Sequence, residues 1–218
     1  MNINFIQKIS SLIGLKISYS LSLDDDVKDI IIYGAYNLFQ MVWSLLCVLI
    51  LGIVFNVAAQ AILVCVSIAI LRKYSGGVHA PSSNSCAVIG AVISVGIAFI
   101  SQLKLYLSIQ NIFLIEVFVF LISYYFVYRL VPVDSEAKRI NNINTRKKFK
   151  KYSILVLNLF AIVIMILDVC YIKYNKEYFF ILIRCISLGM LWQVFTLTSV
   201  AHKLMSCITN ILNLQRSD

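Results

Sequence analysis

The fold is decided by one stretch of the sequence, residues 30–71, which reads IIIYGAYNLFQMVWSLLCVLILGIVFNVAAQAILVCVSIAIL and has no charged residue in 42 positions. One crossing of the bilayer hydrocarbon core needs about 20 apolar helical residues. The stretch therefore holds two membrane-spanning helices. Gly52 and Asn56 are turn-forming residues near its middle, and we expect the two helices to be connected there.

The composition of the whole chain supports the same class of protein. Of 218 residues, 61% are hydrophobic and 13% are charged, whereas soluble domains average about 45–50% apolar and about 25% charged residues. So many apolar side chains cannot be buried inside one globule, which excludes an ordinary soluble domain. The net charge of +9 indicates that the basic residues face a lipid bilayer surface as their partner. Nucleic acid is not expected as a partner because no soluble fold presents a basic patch.

Four further apolar runs bring the predicted spans to six. We predict an all-α polytopic membrane protein that forms a single integral membrane domain over residues 1–218. Its predicted segments are an amphipathic interfacial helix at 1–23, spans 1–2 at 30–71, a cytoplasmic loop at 72–85, spans 3–4 at 86–131, a basic cytoplasmic loop at 132–151 and spans 5–6 at 152–201. The first of these carries apolar residues at helical spacing, with Lys8 and Lys16 elsewhere, which is typical of a helix lying in the membrane interface.

The distribution of lysine and arginine predicts the orientation. With both termini and the loop at 72–85 in the cytoplasm, fifteen basic residues lie inside and three lie outside. Cytoplasmic loops carry the excess of basic residues in membrane proteins, so this orientation is the predicted one.

The loop that follows span 2 concentrates unusual residues. Residues 72–86 read RKYSGGVHAPSSNSC and include one of the two histidines, one of the two prolines and the Gly76-Gly77 pair. Asn84 or Ser85 is expected to cap span 3, which places Cys86 in its first turn. A free thiol is mostly protonated at neutral pH, and a helix dipole contributes only about 0.3–1 kcal/mol at exposed sites. A nucleophilic Cys86 therefore needs a base, and His79 is the one available in this loop.

Spacing alone leaves two interpretations of these residues open. Either His79 and Cys86 form a catalytic dyad, or His79 caps a helix beside a structural cysteine. Zinc takes three or four protein ligands, so two residues do not predict a metal site, and no cofactor is predicted. The other five cysteines have no metal-binding spacing and are read as small hydrophobic residues.

Arg72, Gly76, Gly77, His79 and Cys86 match the RxxxGGxHxxxxxxC signature of the accessory gene regulator B (AgrB) family, which the chain also resembles in size and membrane pattern. Members are cysteine endopeptidases of bacterial quorum sensing in the cytoplasmic membrane. The resemblance implies that this chain cuts the C-terminal tail from a small precursor peptide and closes the remainder into a thiolactone or lactone. It also implies a homodimer.

Carried over residue by residue, the resemblance implies that Cys86 is the nucleophile and His79 its general base. Arg72 is then a possible clamp on substrate carboxylate or carbonyl groups, and Gly76 and Gly77 allow a close backbone approach or offer amide donors to an oxyanion. Lys138 corresponds to a lysine that family members commonly follow with proline; Arg139 stands there in this sequence.

Eight basic residues lie between positions 129 and 151, and two roles for them remain open. They can fix the topology and attract anionic lipid. Alternatively, Arg146, Lys147 and Lys148 steer the acidic tail of a precursor that also carries an amphipathic leader.

Three charged residues fall inside predicted spans, namely Glu116, Asp168 and Arg184. Ionisable groups at such depth are usually paired or functional, and an Arg184–Asp168 pair is one possibility. Two alternative functions for the whole chain are a transporter or exporter of a small molecule or peptide, with these charges along its path, and a membrane scaffold without chemistry. Against the transporter, the two halves show no repeat symmetry.

Overall fold

The computed structural model describes residues 5–78, 80, 82–104, 109–133 and 142–214. This part of the chain contains eight α-helices and no strand. In chain order they are α1 (Phe5–Leu21), α2 (Asp25–Val54), α3 (Ala58–Ser75), α4 (Ser83–Ser101), α5 (Ile109–Leu130), α6 (Ile143–Tyr174), α7 (Glu177–Phe195) and α8 (Ser199–Leu214).

Helices α2 to α7 are each long and apolar enough to cross a membrane. The prediction of an all-α polytopic membrane protein with six spans is therefore confirmed. The connection expected inside the uncharged stretch is a tight turn at Phe55–Val57, where Asn56 adopts a left-handed conformation with φ of 56°. Asn tolerates that conformation better than most residues, which explains why the chain reverses there.

The helix boundaries differ from the predicted segments in two places. α3 continues through Arg72 to Ser75, so the loop begins later than position 72. The segment predicted as a basic loop is helical from Ile143 onward, because Asn142 caps the helix by accepting the Asn144 N–H at 2.8 Å. With 32 residues, α6 is about 48 Å long and exceeds the roughly 30 Å hydrocarbon core. Its basic N-terminal end can therefore extend beyond the bilayer.

Two amphipathic helices flank the spans. α1 packs on α2, where Gly14 faces Ile32, and it leaves Leu12, Leu15 and Ile17 exposed. Its position in the membrane interface remains a prediction. α8 was not predicted, because the sequence after residue 201 was treated as a tail.

The buried side chains form two clusters, and α3 contributes residues to both. One contains Leu71 of α3, Val127 of α5, Leu157 of α6 and Met190 of α7. The other joins α2, α3 and α4 through small side chains. α7 is the most buried span, and its C-terminal end lies against the loop that follows α3. The fold therefore places this loop on a packed helical support.

Candidate active site

The loop that follows α3 is held by backbone hydrogen bonds to two other parts of the chain. The Ser75 carbonyl oxygen accepts a hydrogen bond from the Val133 N–H at 3.0 Å, and Gly76 pairs with Val133 in an isolated parallel bridge. On the other side, the Val78 N–H donates to the Thr196 carbonyl oxygen at 3.1 Å, at the end of α7. The segments that follow α5 and α7 therefore hold the backbone between the end of α3 and His79.

Gly76 and Gly77 are required by this close approach. Gly76 has φ of 73°, and a Cβ atom there would lie 2.1 Å from the Val133 carbonyl oxygen. Gly77 has φ of 129°, and its Cβ atom would lie 2.6 Å from Thr196 Oγ1. L-residues with a side chain rarely adopt such φ values. The structure thus gives the glycine pair a packing reason that is independent of any substrate.

The amide groups of the two glycines differ in availability. The Gly76 N–H donates to the Arg72 carbonyl oxygen at 3.0 Å. Gly77 is a buried residue, and its N–H has no hydrogen-bond acceptor among the residues that the structure describes. Buried backbone donors are normally paired, so of the two amides the Gly77 N–H is the one left for the predicted oxyanion contact, which stays a prediction.

Arg72 joins the loop to the region of the cysteine. Its side chain donates through Nη2 to the Val78 carbonyl oxygen. Its guanidinium also lies in the neighbourhood of Cys86. A guanidinium has five N–H donors in total, so this bond leaves donors for the substrate contact predicted above, which stays a prediction.

Gln193 of α7 is a site residue that the sequence analysis missed. It is fully buried, and its Nε2 donates to Ser75 Oγ at 3.0 Å and to the Gly76 carbonyl oxygen at 2.7 Å. Its Oε1 has no partner in the described part of the chain. The signal was available, because an amide inside an apolar span must find polar partners in the protein.

Cys86 lies in the first turn of α4, as predicted, and is half-buried. The predicted cap was wrong. Ser82, and not Asn84 or Ser85, is the N-cap residue, since its Oγ accepts the Ser85 N–H at 3.1 Å. The Ser82 carbonyl oxygen then accepts the Cys86 N–H at 2.9 Å. The Cys86 amide is therefore used within the helix.

Two predicted site residues, His79 and Lys138, lie outside the described residues. For His79, the structure describes the backbone that leads into it, and Val78 is held by both Arg72 and Thr196. The dyad of His79 and Cys86 stays a prediction.

The residues predicted to steer a substrate tail lie in the first two turns of α6. Arg146 donates to the Pro132 carbonyl oxygen at 3.2 Å and so supports the segment that contacts the loop. Lys147 and Lys148 are exposed. Five basic residues occupy positions 146–151 near the N-terminal end of a helix that has no acidic residue in its first turn. Cations are unfavourable at that end of the helix dipole, so an anionic partner would stabilise them.

The charged residues inside the spans do not form the pair considered above. Arg184 donates to the Leu103 and Ile100 carbonyl oxygens at 2.7 Å and 2.6 Å, and so satisfies the C-terminal end of α4. Asp168 instead lies in the neighbourhood of Glu116 of α5. All six cysteines are free thiols. Within the described ranges, no three His, Cys, Asp or Glu side chains lie together as metal ligands would.

Comparison with known proteins gives one consistent family. The family model described as Accessory gene regulator B matches residues 6–197. AgrB-like protein 2 of Clostridium perfringens strain 13 is 34% identical over 210 residues, which cover 95% of this chain and 98% of that protein. An AgrB-like protein of C. perfringens strain SM101 is 33% identical with the same coverage. An AgrB-like protein of Clostridium acetobutylicum is 22% identical over 92% of this chain. No solved structure matches the chain significantly.

Proposed function

The chain belongs to the accessory gene regulator B family, which acts in quorum-sensing peptide processing, and on that premise we propose that it is a membrane-embedded cysteine endopeptidase. It removes the C-terminal tail of a small precursor peptide and closes the remaining part into a thiolactone or lactone ring. The family match gives no support to the alternative of a transporter.

The observation that carries this proposal is the position of Arg72. One guanidinium donates to the backbone directly before His79 and lies in the neighbourhood of Cys86. The backbone that leads into the proposed base and the first turn that carries the proposed nucleophile are therefore near the same cation, although seven positions separate the two residues in sequence. Seven residues of continuous helix would keep them about 10.5 Å apart along the axis. The interruption between α3 and α4 removes that obstacle.

In the proposed first step, His79 takes the proton of the Cys86 thiol as Sγ attacks the carbonyl carbon of the scissile bond. The C–N bond then breaks, and His79 returns the proton to the amine of the departing tail. The N-terminal part of the precursor remains on Cys86 as a thioester. Of the two glycine amides, the Gly77 N–H is the proposed donor to the oxyanion, since the Gly76 N–H is already used.

In the second step, a cysteine or serine side chain of the precursor attacks the thioester carbonyl. A new thioester or ester bond closes the ring, and Cys86 leaves with the proton given up by the attacking group. The ring-closing group is part of the same molecule, which gives it a high effective concentration against water. Exclusion of water from the site while the thioester exists would favour closure further.

The proposed substrate has an amphipathic leader and an acidic tail, and the basic start of α6 is the proposed site that attracts the tail. We place the protein in the bacterial cytoplasmic membrane as a homodimer, with both termini and the catalytic loop in the cytoplasm. The fifteen-to-three distribution of basic residues supports this orientation.

The test is co-expression with the small peptide encoded nearest to this gene, followed by mass spectrometry of the peptide. Wild type should produce the tail fragment and a ring-closed product, whereas Cys86→Ala should leave the precursor intact. Cys170→Ala serves as the matched control. Cys170 lies near the C-terminal end of α6, whereas α6 contacts the segment that supports the loop near its N-terminal end. Cleavage that persists in Cys86→Ala would contradict the proposal.

A further inference from the structure

Two polar side chains of α2 contact the start of the helix that carries Cys86. The Tyr36 hydroxyl lies 2.6 Å from Ser83 Oγ, and Gln40 Nε2 donates to the Ser83 carbonyl oxygen at 2.8 Å. Tyr36 and Gln40 are four residues apart and therefore lie on one face of α2. Both of the polar groups of Ser83 that can accept a hydrogen bond are thus engaged by the same neighbouring helix.

Ser83 is the first residue of α4, and Cys86 lies three positions later. Residues with that spacing are neighbours on a helix surface, with Cβ atoms about 5–6 Å apart. Tyr36 and Gln40 therefore contact α4 on the side of Cys86, within one turn of its thiol.

The rest of the α2–α4 interface is apolar and built from small side chains. Val48 of α2 packs with Ala91, Val95 and Ala98 of α4 in one buried cluster. Such contacts are not directional, so they hold the two helices together without fixing how far α4 rotates or slides along α2. Hydrogen bonds need defined distances and angles. The contacts to Ser83 are hydrogen bonds from a neighbouring helix to the first turn of α4, and they can fix its position against α2.

We propose that Tyr36 and Gln40 are positioning residues for Cys86. By holding Ser83, they set the orientation of the Cys86 thiol relative to the loop that follows α3. This inference rests on the proposed function, in which Cys86 is the nucleophile. Displacement of a reacting atom by about 1 Å can lower a rate by about 100-fold. Loss of a single hydrogen bond has a smaller effect, and we expect about a tenfold change.

The first measurement is the cleavage kinetics of Tyr36→Phe and Gln40→Leu in the full-length protein in vesicles. Tyr36→Phe removes only the hydroxyl. We expect each variant to lower kcat by about tenfold, with KM unchanged because the substrate-binding groups are intact. Tyr33→Phe is the matched control, since Tyr33 is an exposed tyrosine on the same helix, and its kcat should equal that of wild type.

A double-mutant cycle tests whether the effect passes through Ser83. If Tyr36 acts by holding the Ser83 hydroxyl, adding Tyr36→Phe to Ser83→Ala should lower kcat no further. Additive losses would overturn the inference. Equal kcat values for wild type and Tyr36→Phe would overturn it as well.

A second measurement separates this inference from the proposed function, because it needs no substrate. The rate at which iodoacetamide alkylates Cys86 is followed against pH by mass spectrometry of the peptide that carries it. Tyr36→Phe should change this profile, and Tyr33→Phe should not. An unchanged profile overturns the inference even if cleavage depends on Cys86. A changed profile supports it even if the precursor is not cleaved, in which case the proposed function alone fails.

Discussion

Arg72 donates a hydrogen bond from its guanidinium to the carbonyl oxygen of Val78, the residue directly before His79. The same side chain lies in the neighbourhood of Cys86. A single residue at the end of α3 therefore holds the backbone that leads to the predicted base and lies near the helix of the predicted nucleophile. Arg72 has a structural task here in addition to any contact with substrate.

Arg72→Lys should lower kcat for precursor cleavage by about tenfold to 100-fold, although the charge is kept. A lysine ammonium cannot reproduce the planar donor geometry of a guanidinium. Steady-state cleavage in proteoliposomes measures the effect. Lys73→Arg, at the exposed neighbouring position, is the control and should behave as wild type. Full activity of Arg72→Lys would show that charge alone suffices.

Gly76→Ala and Gly77→Ala should both abolish cleavage, and Gly76→Ala should destabilise the protein more. The obstacle at Gly76 is the Val133 backbone, whereas at Gly77 it is the Thr196 side chain. Backbone strain of this kind costs about 1–3 kcal/mol. Thermal unfolding in detergent provides the comparison. Gly90→Ala in α4 is the control, because nothing lies within 4 Å of its added Cβ atom; it should be neutral or stabilising. Wild-type stability of Gly76→Ala would contradict the described loop.

Gln193→Leu should lower both stability and activity. It removes the Gln193 donor from Ser75 Oγ and from the half-buried Gly76 carbonyl oxygen, which keep only the 3.3 Å hydrogen bond between them. The net contribution of each lost hydrogen bond is about 0.5–1.5 kcal/mol. Unfolding and cleavage are measured on the same preparation. Gln60→Leu, near the opposite end of α3, is the control for adding leucine to a span. If Gln193→Leu were more stable than wild type, the hydrogen bonds to the loop would not be what holds it.

Charge reversal at Lys147 and Lys148 should slow cleavage of a precursor with an acidic tail, most strongly at low salt. Screening shortens the range of such attraction to about 8 Å at physiological ionic strength, so the difference from wild type should shrink as salt increases. Arg146 is left unchanged because it supports Pro132. The control is Lys173→Glu with Lys176→Glu. Lys173 lies in the last turn of α6, and Lys176 is the N-cap residue of α7. Equal rates for both double variants at low salt would exclude steering.

The spans could be predicted from sequence because each follows from the length of an apolar run, which is a local property. The same dependence on local sequence explains where the prediction of the helix boundaries is wrong. Residues 143–151 were predicted as a loop because lysine and arginine mark the end of a membrane crossing, yet these residues also favour helices. α6 therefore continues through them.

The site was harder to predict than the spans because its contacts join residues distant in sequence. Gln193 lies 118 positions from Ser75, and no local pattern connects them. Arg184 was considered as a partner of Asp168, since opposite charges in neighbouring spans attract. It instead satisfies the carbonyl groups at the end of α4, whose position depends on how α4 and α7 pack.

The measurement that tests the central proposal most directly is the intact mass of this protein after incubation with a trapped substrate. In that substrate, every cysteine and serine before the cleavage site is replaced by alanine, so that no ring can close. We predict that the protein gains the mass of the N-terminal fragment on Cys86, that hydroxylamine removes the adduct, and that Cys86→Ala gains none. Release of the tail by Cys86→Ala, or an adduct on another residue, would contradict the account.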